Sequence, residues 1–113
     1  EMATIEQLDE GSWESFLNAP LAVLMLSKKE CISCIQLGDE LSTWLSSGTA
    51  PLNVRFGKIM LDDPGMARFK LAQSWISHID IMPFMAIFVH GERVSEWGGG
   101  TLSRFQNKLA EHV

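Results

Sequence analysis

The chain lacks most of what would mark a specialised architecture. Its 113 residues carry no internal repeat, no low-complexity tract and no linker long enough to divide them, so one domain over residues 1–113 is expected. No apolar run approaches the roughly 20 residues of a membrane-spanning helix, and no membrane span is expected. Basic residues are not in excess: 9 Lys and Arg stand against 14 Asp and Glu, a net charge of −5 with the acids spread along the chain. Phosphate binding needs a concentrated basic surface, so nucleic acid is not an expected partner. No secretory leader pattern opens the sequence, and a cytoplasmic protein is the default reading. The first residue is Glu1 rather than Met, which keeps a trimmed, exported form as the alternative. His78, His90 and His112 are scattered, and none pairs at metal-ligand spacing. The glycines lack the features of a phosphate loop, so no nucleotide site is expected. There are only two cysteines, too few for a disulfide framework. The oligomeric state leaves no mark.

What is present is ordinary globular material, 46% hydrophobic and 20% charged. Ala3 to Leu8 reads as a short first strand. Ser12 is placed to cap a short helix over "WESFLNA", stopped by Pro20. Leu21 to Leu26 is a continuous apolar run, as expected of a strand buried on both faces. After Cys31, the residues Cys34, Leu37, Leu41 and Leu45 recur at helical spacing, and the pattern fades through "SSGTAP". Val54 to Leu61 reads as a strand. Asp63 followed by Pro64 is a helix start, with the helix itself over Met66 to Trp75. Phe84 to Val89 is a further apolar strand, turned by "HGE" into a hairpin partner at Val94 to Trp97. Leu102, Phe105 and Leu109 mark a last amphipathic helix. Strand–helix–strand crossovers require parallel strands and the terminal hairpin an antiparallel pair. The fold class is therefore α/β: a central mixed β-sheet flanked by helices on both faces.

The two cysteines sit in "LAVLMLSKKECISC", three positions apart, where the buried strand gives way to a helix. A bond between them closes a very small loop and constrains the unfolded chain little, so stapling is a poor reason for the pair. Chemistry is a better one. Unpaired N–H groups and the dipole at a helix N-terminus favour a thiolate at Cys31 more than at Cys34, about one turn inside. Lys28 and Lys29 add positive potential, and Glu30 partly opposes it. The i, i+3 spacing puts both sulfurs on one face, within reach of each other. Cys31 can then attack a disulfide and Cys34 resolve the mixed disulfide. Two other readings stand beside this one: a pair of ordinary core cysteines, and half of a zinc site completed across a dimer.

At this point the chain resembles the thioredoxin superfamily over nearly its whole length. The apolar strand with "CISC" resembles that family's active-site strand and redox helix. "DDPG" resembles the segment that opens its next helix, "IDIMPFMAIFVHGERV" its cis-proline stretch and hairpin, and "GGGTLSRFQNKL" its glycine turn and last helix. The resemblance implies a thioredoxin-like fold, Cys31 as nucleophile, Cys34 as resolving thiol, and Pro83 as the cis-proline beside them. It also implies that Met82 offers its backbone to an extended substrate peptide, a form of strand addition.

The sequence departs from the family pattern W-C-G-P-C. Glu30 replaces the tryptophan, and Ile32–Ser33 replace glycine and proline. The family's buried carboxylate falls near Met25, which cannot relay a proton. Phe84 follows the proline where a small polar residue is usual. "SWISHID" is a longer approach to the proline and is expected to form a lip. There Trp75 and Ile76 would join Ile81, Met82 and Phe84 in an apolar rim. The function so implied is a thiol–disulfide oxidoreductase acting on protein or peptide disulfides, with no bound cofactor and with a partner reductase. The alternative is a thioredoxin-like binding or assembly module with little redox turnover.

Overall fold

The computed structural model describes residues 3–113. The strands are β1 (Ile5–Gln7), β2 (Ala22–Ser27), β3 (Arg55–Met60), β4 (Phe84–Val89) and β5 (Glu92–Gly98), and the helices are α1 (Trp13–Leu17), α2 (Ile32–Ser46), α3 (Ala67–Ala72) and α4 (Leu102–Ala110). One five-stranded sheet runs in the order β1-β3-β2-β4-β5. β1 and β2 both lie parallel to β3, whereas β2–β4 and β4–β5 are antiparallel. This is the mixed sheet that the order of elements implies.

All six residues of β2 are buried. Ala22, Leu24 and Leu26 face a core with Trp13 and Phe16 of α1 and Phe69 of α3. Val23 and Met25 face a second core with Leu37, Leu41 and Leu45 of α2 and Phe105 and Leu109 of α4. A strand covered by helices on both sides cannot alternate polar and apolar, and that is why Leu21–Leu26 reads as an unbroken run. At the sheet edge, the Arg55 guanidinium grips the Glu6 carboxylate with two bonds of 2.9 and 2.6 Å, tying β1 to β3. The hydrogen bonds that Arg55 donates to Glu6, aided by that carboxylate's charge, hold Arg55 above its ordinary pKa, and desolvation acts against this.

Several boundaries differ from the sequence expectation. β1 is only three residues long. α1 ends at Leu17, short of Pro20, because the residue before a proline is steered out of helical backbone. Ser12 stands at the N-cap position but caps nothing: its hydroxyl accepts the Asp9 N–H at 2.9 Å. The single helix expected over Met66 to Trp75 is three pieces. A 3₁₀ turn covers Pro64–Met66, with Asp63 accepting the Gly65 N–H at 2.9 Å; α3 follows, and a second 3₁₀ turn covers Ser74–His78. A continuous helix would turn Trp75 roughly 120° away from Phe69, off the core. The break at Gln73 instead packs Trp75 against Phe84 and Phe88, with ring centroids 6.2 and 6.3 Å away. β5 is longer than expected and joins β4 through a two-residue turn. His90 (φ 50°) and Gly91 (φ 87°) there adopt the left-handed conformation that tight hairpins require.

The topology gathers four connections at one edge of the sheet. β2 and β3 are parallel, so their C-terminal ends, Ser27 and Met60, lie together. β4 runs the other way and begins there at Phe84, which pairs with Leu26 on one side and with Gly98, the end of β5, on the other. In open α/β sheets the crevice outside the strand ends is where chemistry is usually found.

Gly57 shows how closely α1 covers the sheet. A β-carbon there would stand 2.7 Å from the Phe16 ring and 2.8 Å from Leu8 Cδ1. Gly57→Ala is expected to cost about 1–3 kcal/mol of stability, read as a lower urea midpoint at unchanged slope.

Candidate active site

β2 ends at Ser27, and residues 28–31 turn the chain into α2. Glu30 takes a left-handed conformation (φ 59°), which redirects the backbone within one residue. The Lys29 N–H donates to Asp62 Oδ2 at 3.0 Å, fastening this turn to the connection after β3. Cys31 is extended (φ −95°, ψ 103°) and is itself the N-cap of α2: its sulfur accepts the Cys34 N–H at 3.2 Å. A sulfur therefore occupies the place usually taken by a serine or aspartate oxygen, on one of the helix's unpaired donors. In the reduced protein the same N–H and the helix dipole favour a thiolate on that sulfur.

Cys31 and Cys34 form a disulfide with Cα atoms 5.2 Å apart. Their exposure is unequal. Cys34 is 2% exposed within the α2 face, whereas Cys31 is half-buried at the helix tip. An incoming group meets the Cys31 sulfur first.

The Met82–Pro83 peptide bond is cis. Leu26 pairs with Phe84, so one further step along the ladder sets Pro83 beside Ser27, at the edge that carries residues 28–31. The Pro83 carbonyl accepts the Gly99 N–H at 2.7 Å, which fixes this loop to the end of β5. Gly98 makes that approach feasible, since any β-carbon there would collide with Ile81. Met82 is half-buried and shares a groove with Lys28.

Met25 lies on the α2 side of β2, with Lys58 and Met85 as its cross-strand neighbours. Its methyl reaches to within 3.7 Å of where a β-carbon on Gly38 would stand, one turn beyond Cys34. An apolar thioether thus occupies the strand position that faces Gly38 and Leu37 of α2, in the turn after Cys34. Beside it, a cavity of about 600 Å³ opens between α2 and the β1–β3 side of the sheet, walled by Ser27, Cys34, Gly38, Ser42, Lys58 and Met60 among others.

Among the described residues, no group of three or more His, Cys, Asp or Glu side chains is placed to hold a metal ion. The histidines lie on different elements, with His78 on the second 3₁₀ turn and His90 in the hairpin.

The expected apolar rim is differently composed. Trp75, Ile76, Met82 and Phe84 are half-buried and packed against the α1-side core; of these, Ile76 and Met82 also line a groove, whereas Trp75 and Phe84 support the loop. The Trp75 ring is further held between Phe84, Phe88 and the Arg93 guanidinium, 4.4 Å from its centroid. The solvent-facing apolar groups are Ile81 (48% exposed), Ile32 (72%) and Ile35 (58%). Ile32 and Ile35 flank the cysteines on the outer side of α2, and the helical period marks them as off the Cys34–Leu37–Leu41 face.

No family model matches the sequence, and no curated protein matches it. Solved structures do. Thioredoxin f2 of Chlamydomonas reinhardtii superposes with a TM-score of 0.76 at 19% identity, over 96% of this chain and 95% of that one. Thioredoxin f of spinach chloroplast, short form, gives 0.78 at 13% identity, over 97% and 94%. This is the thioredoxin fold. A thioredoxin f2 in complex with ferredoxin:thioredoxin reductase gives 0.76 at 12% identity, over 97% and 96%. The likeness covers nearly the whole of both chains, so the sheet order and the helices around it are those of the thioredoxin fold.

Two substitutions probe this edge. Asp62→Ala removes the acceptor of the Lys29 N–H. Amide exchange at Lys29 should accelerate and stability fall by about 1 kcal/mol, while Asp62→Asn retains most of both. Met25→Asp places a carboxyl in an apolar layer and is expected to cost about 2–4 kcal/mol in urea unfolding at pH 7. Burial raises the folded-state pKa of such an acid, so the loss should shrink on going down towards pH 4, where the unfolded chain also holds the proton.

Proposed function

We propose that the chain is a thiol–disulfide oxidoreductase acting on protein or peptide disulfides with apolar flanks. One observation carries this reading. The Cys31–Cys34 disulfide stands at the tip of α2, with the accessible sulfur on a helix N–H and its partner buried behind it.

In the reducing direction the steps balance as follows. The Cys31 thiolate attacks one sulfur of the substrate disulfide; that S–S bond breaks, and the leaving thiolate takes a proton from solvent. Cys34 then loses its proton. With Met25 on the facing strand, water in the adjoining cavity is the acceptor we assign, in place of a strand carboxylate. The Cys34 thiolate attacks the Cys31 sulfur, the mixed disulfide breaks, and the second substrate thiol departs. Two electrons have passed to the substrate, and Cys31–Cys34 is oxidised. The same steps reversed oxidise a dithiol. Reduction of Cys31–Cys34 requires a partner reductase, and the thioredoxin f2 bound to ferredoxin:thioredoxin reductase supports a partner of that class.

We assign Met82 and Pro83 to substrate binding. Met82 would pair its backbone with an extended peptide, and Pro83 would set that edge against Cys31. Ile32 and Ile35, next to the cysteines in sequence, and Ile81, just before the Met82–Pro83 bond, would offer the peptide exposed apolar surface, worth roughly 25 cal/mol per Å² covered. An apolar peptide gains from this, and oxidised glutathione does not.

In the reduced protein near pH 7, iodoacetamide should label Cys31 well before Cys34, read by mass spectrometry. Cys34→Ser should trap a mixed disulfide with an apolar-flanked peptide disulfide, and the parent should reduce that peptide faster than oxidised glutathione. Earlier labelling of Cys34, or no trapped adduct, would overturn the assignment; a thioredoxin-fold module used only for binding would trap none.

A further inference from the structure

A groove of about 310 Å³ opens beside Met82. Its floor is apolar, formed by buried Leu61 and half-buried Ile76, Ile79 and Met82, and its charged rim is Lys28, Lys70 and Asp62. Asp62 is already engaged, accepting the Lys29 N–H through Oδ2. Lys28 and Lys70 are exposed, and among the described residues neither forms an ion pair. Two ammonium groups outside any ion pair thus stand against one carboxylate, which keeps its charge, leaving the groove's own rim positive on a chain whose net charge is −5. Glu30 and Asp80 lie on neighbouring turns but do not line the groove. A locally positive, apolar-floored groove on an otherwise acidic protein is complementary to an apolar side chain followed by an anionic one.

We infer that this groove selects the substrate segment next to the reacting cysteine, taking a peptide in which an apolar residue is followed by an acidic one. The inference rests on the oxidoreductase reading and adds the substrate's charge. The apolar side chain fills the floor between Ile79 and Met82. The carboxylate lies between Lys28 and Lys70. The peptide backbone runs along Met82. Lys28 follows directly on β2 and so couples the groove to the cysteine turn, and Lys70 reaches it from α3.

The test uses three cystine peptides with the same apolar residue beside the half-cystine and Glu, Gln or Lys at the next position. At low ionic strength the parent should follow the order Glu, Gln, Lys in kcat/KM, spanning about three- to tenfold, the scale of one or two exposed ion pairs. Added salt should compress the span. Lys28→Glu combined with Lys70→Glu should reverse the order, and Lys28→Gln with Lys70→Gln should flatten it. A binding arm avoids turnover altogether: the same peptides with serine for the half-cystine, titrated into the oxidised protein, should shift the Leu61, Ile79 and Met82 amides in the same order of affinity. Equal rates and equal binding for the three peptides, or an order that survives charge reversal, would overturn the groove assignment and leave the oxidoreductase reading standing. Ordered binding of the serine peptides with no reduction of any cystine peptide would support the groove and remove the redox reading.

Discussion

Six consecutive residues of β2, Ala22 to Ser27, are removed from water on both faces at once. Each large apolar residue so covered contributes about 1.5–3 kcal/mol, and coverage on both sides requires helices above and below the sheet. α1 and α3 supply one cover, α2 and α4 the other. α2 can reach its side only by crossing from the end of β2 to β3, and that crossing begins at the cysteines. The cysteine pair is thus held by the element the core can least release. Its helix is pinned along Leu37, Leu41 and Leu45, and its strand is the centre of the sheet.

Rigid burial behind the pair accounts for its asymmetry. Cys34 belongs to the buried α2 face and Cys31 to the junction, so one turn of helix separates an accessible sulfur from an enclosed one. The connections around them come from distant parts of the sequence. Asp62 steadies the cysteine turn through Lys29, and Gly99 steadies the Pro83 loop through a backbone bond. The turns at this end of the sheet are in this way mounted on hydrogen bonds between backbone and remote parts of the chain, and in the proposed function the side chains they carry contact the peptide.

Met25 changes the chemistry without changing the architecture. It fills the layer between β2 and α2 as any apolar residue would, against Gly38 on the helix. In the proposed mechanism the proton of the second cysteine then has no strand carboxylate to go to. The cavity beside Cys34, with Lys58 in its wall, opens on the β1–β3 side and is where the proposed mechanism places the accepting water. Packing there is satisfied by size alone, whereas proton transfer depends on the group's chemistry, so a position can be structurally filled and chemically altered at once.

Much of this was legible in the sequence because it depends on local periodicity. The unbroken apolar run of β2, the three- and four-residue spacing from Cys34 to Leu45, and the Asp63–Pro64 start each follow from neighbours along the chain. The mixed sheet followed from the order of those elements, and Cys31 at the helix start followed from the run ending just before it. Other features were decided only in three dimensions. The helix over Met66 to Trp75 broke at Gln73 because Trp75 gains more from Phe84 and Phe88 than helical continuity offers. Ser12 gave its hydroxyl to Asp9 within a tighter turn. The groove joining Lys28, Lys70 and Met82, the Asp62–Lys29 bond and the exposure of Ile32 and Ile35 each depend on which loops share a sheet edge. Sequence spacing encodes which face of an element is apolar; it carries no record of what stands opposite that face, and around the cysteine turn the neighbours at Asp62 and Pro83 are remote in the chain.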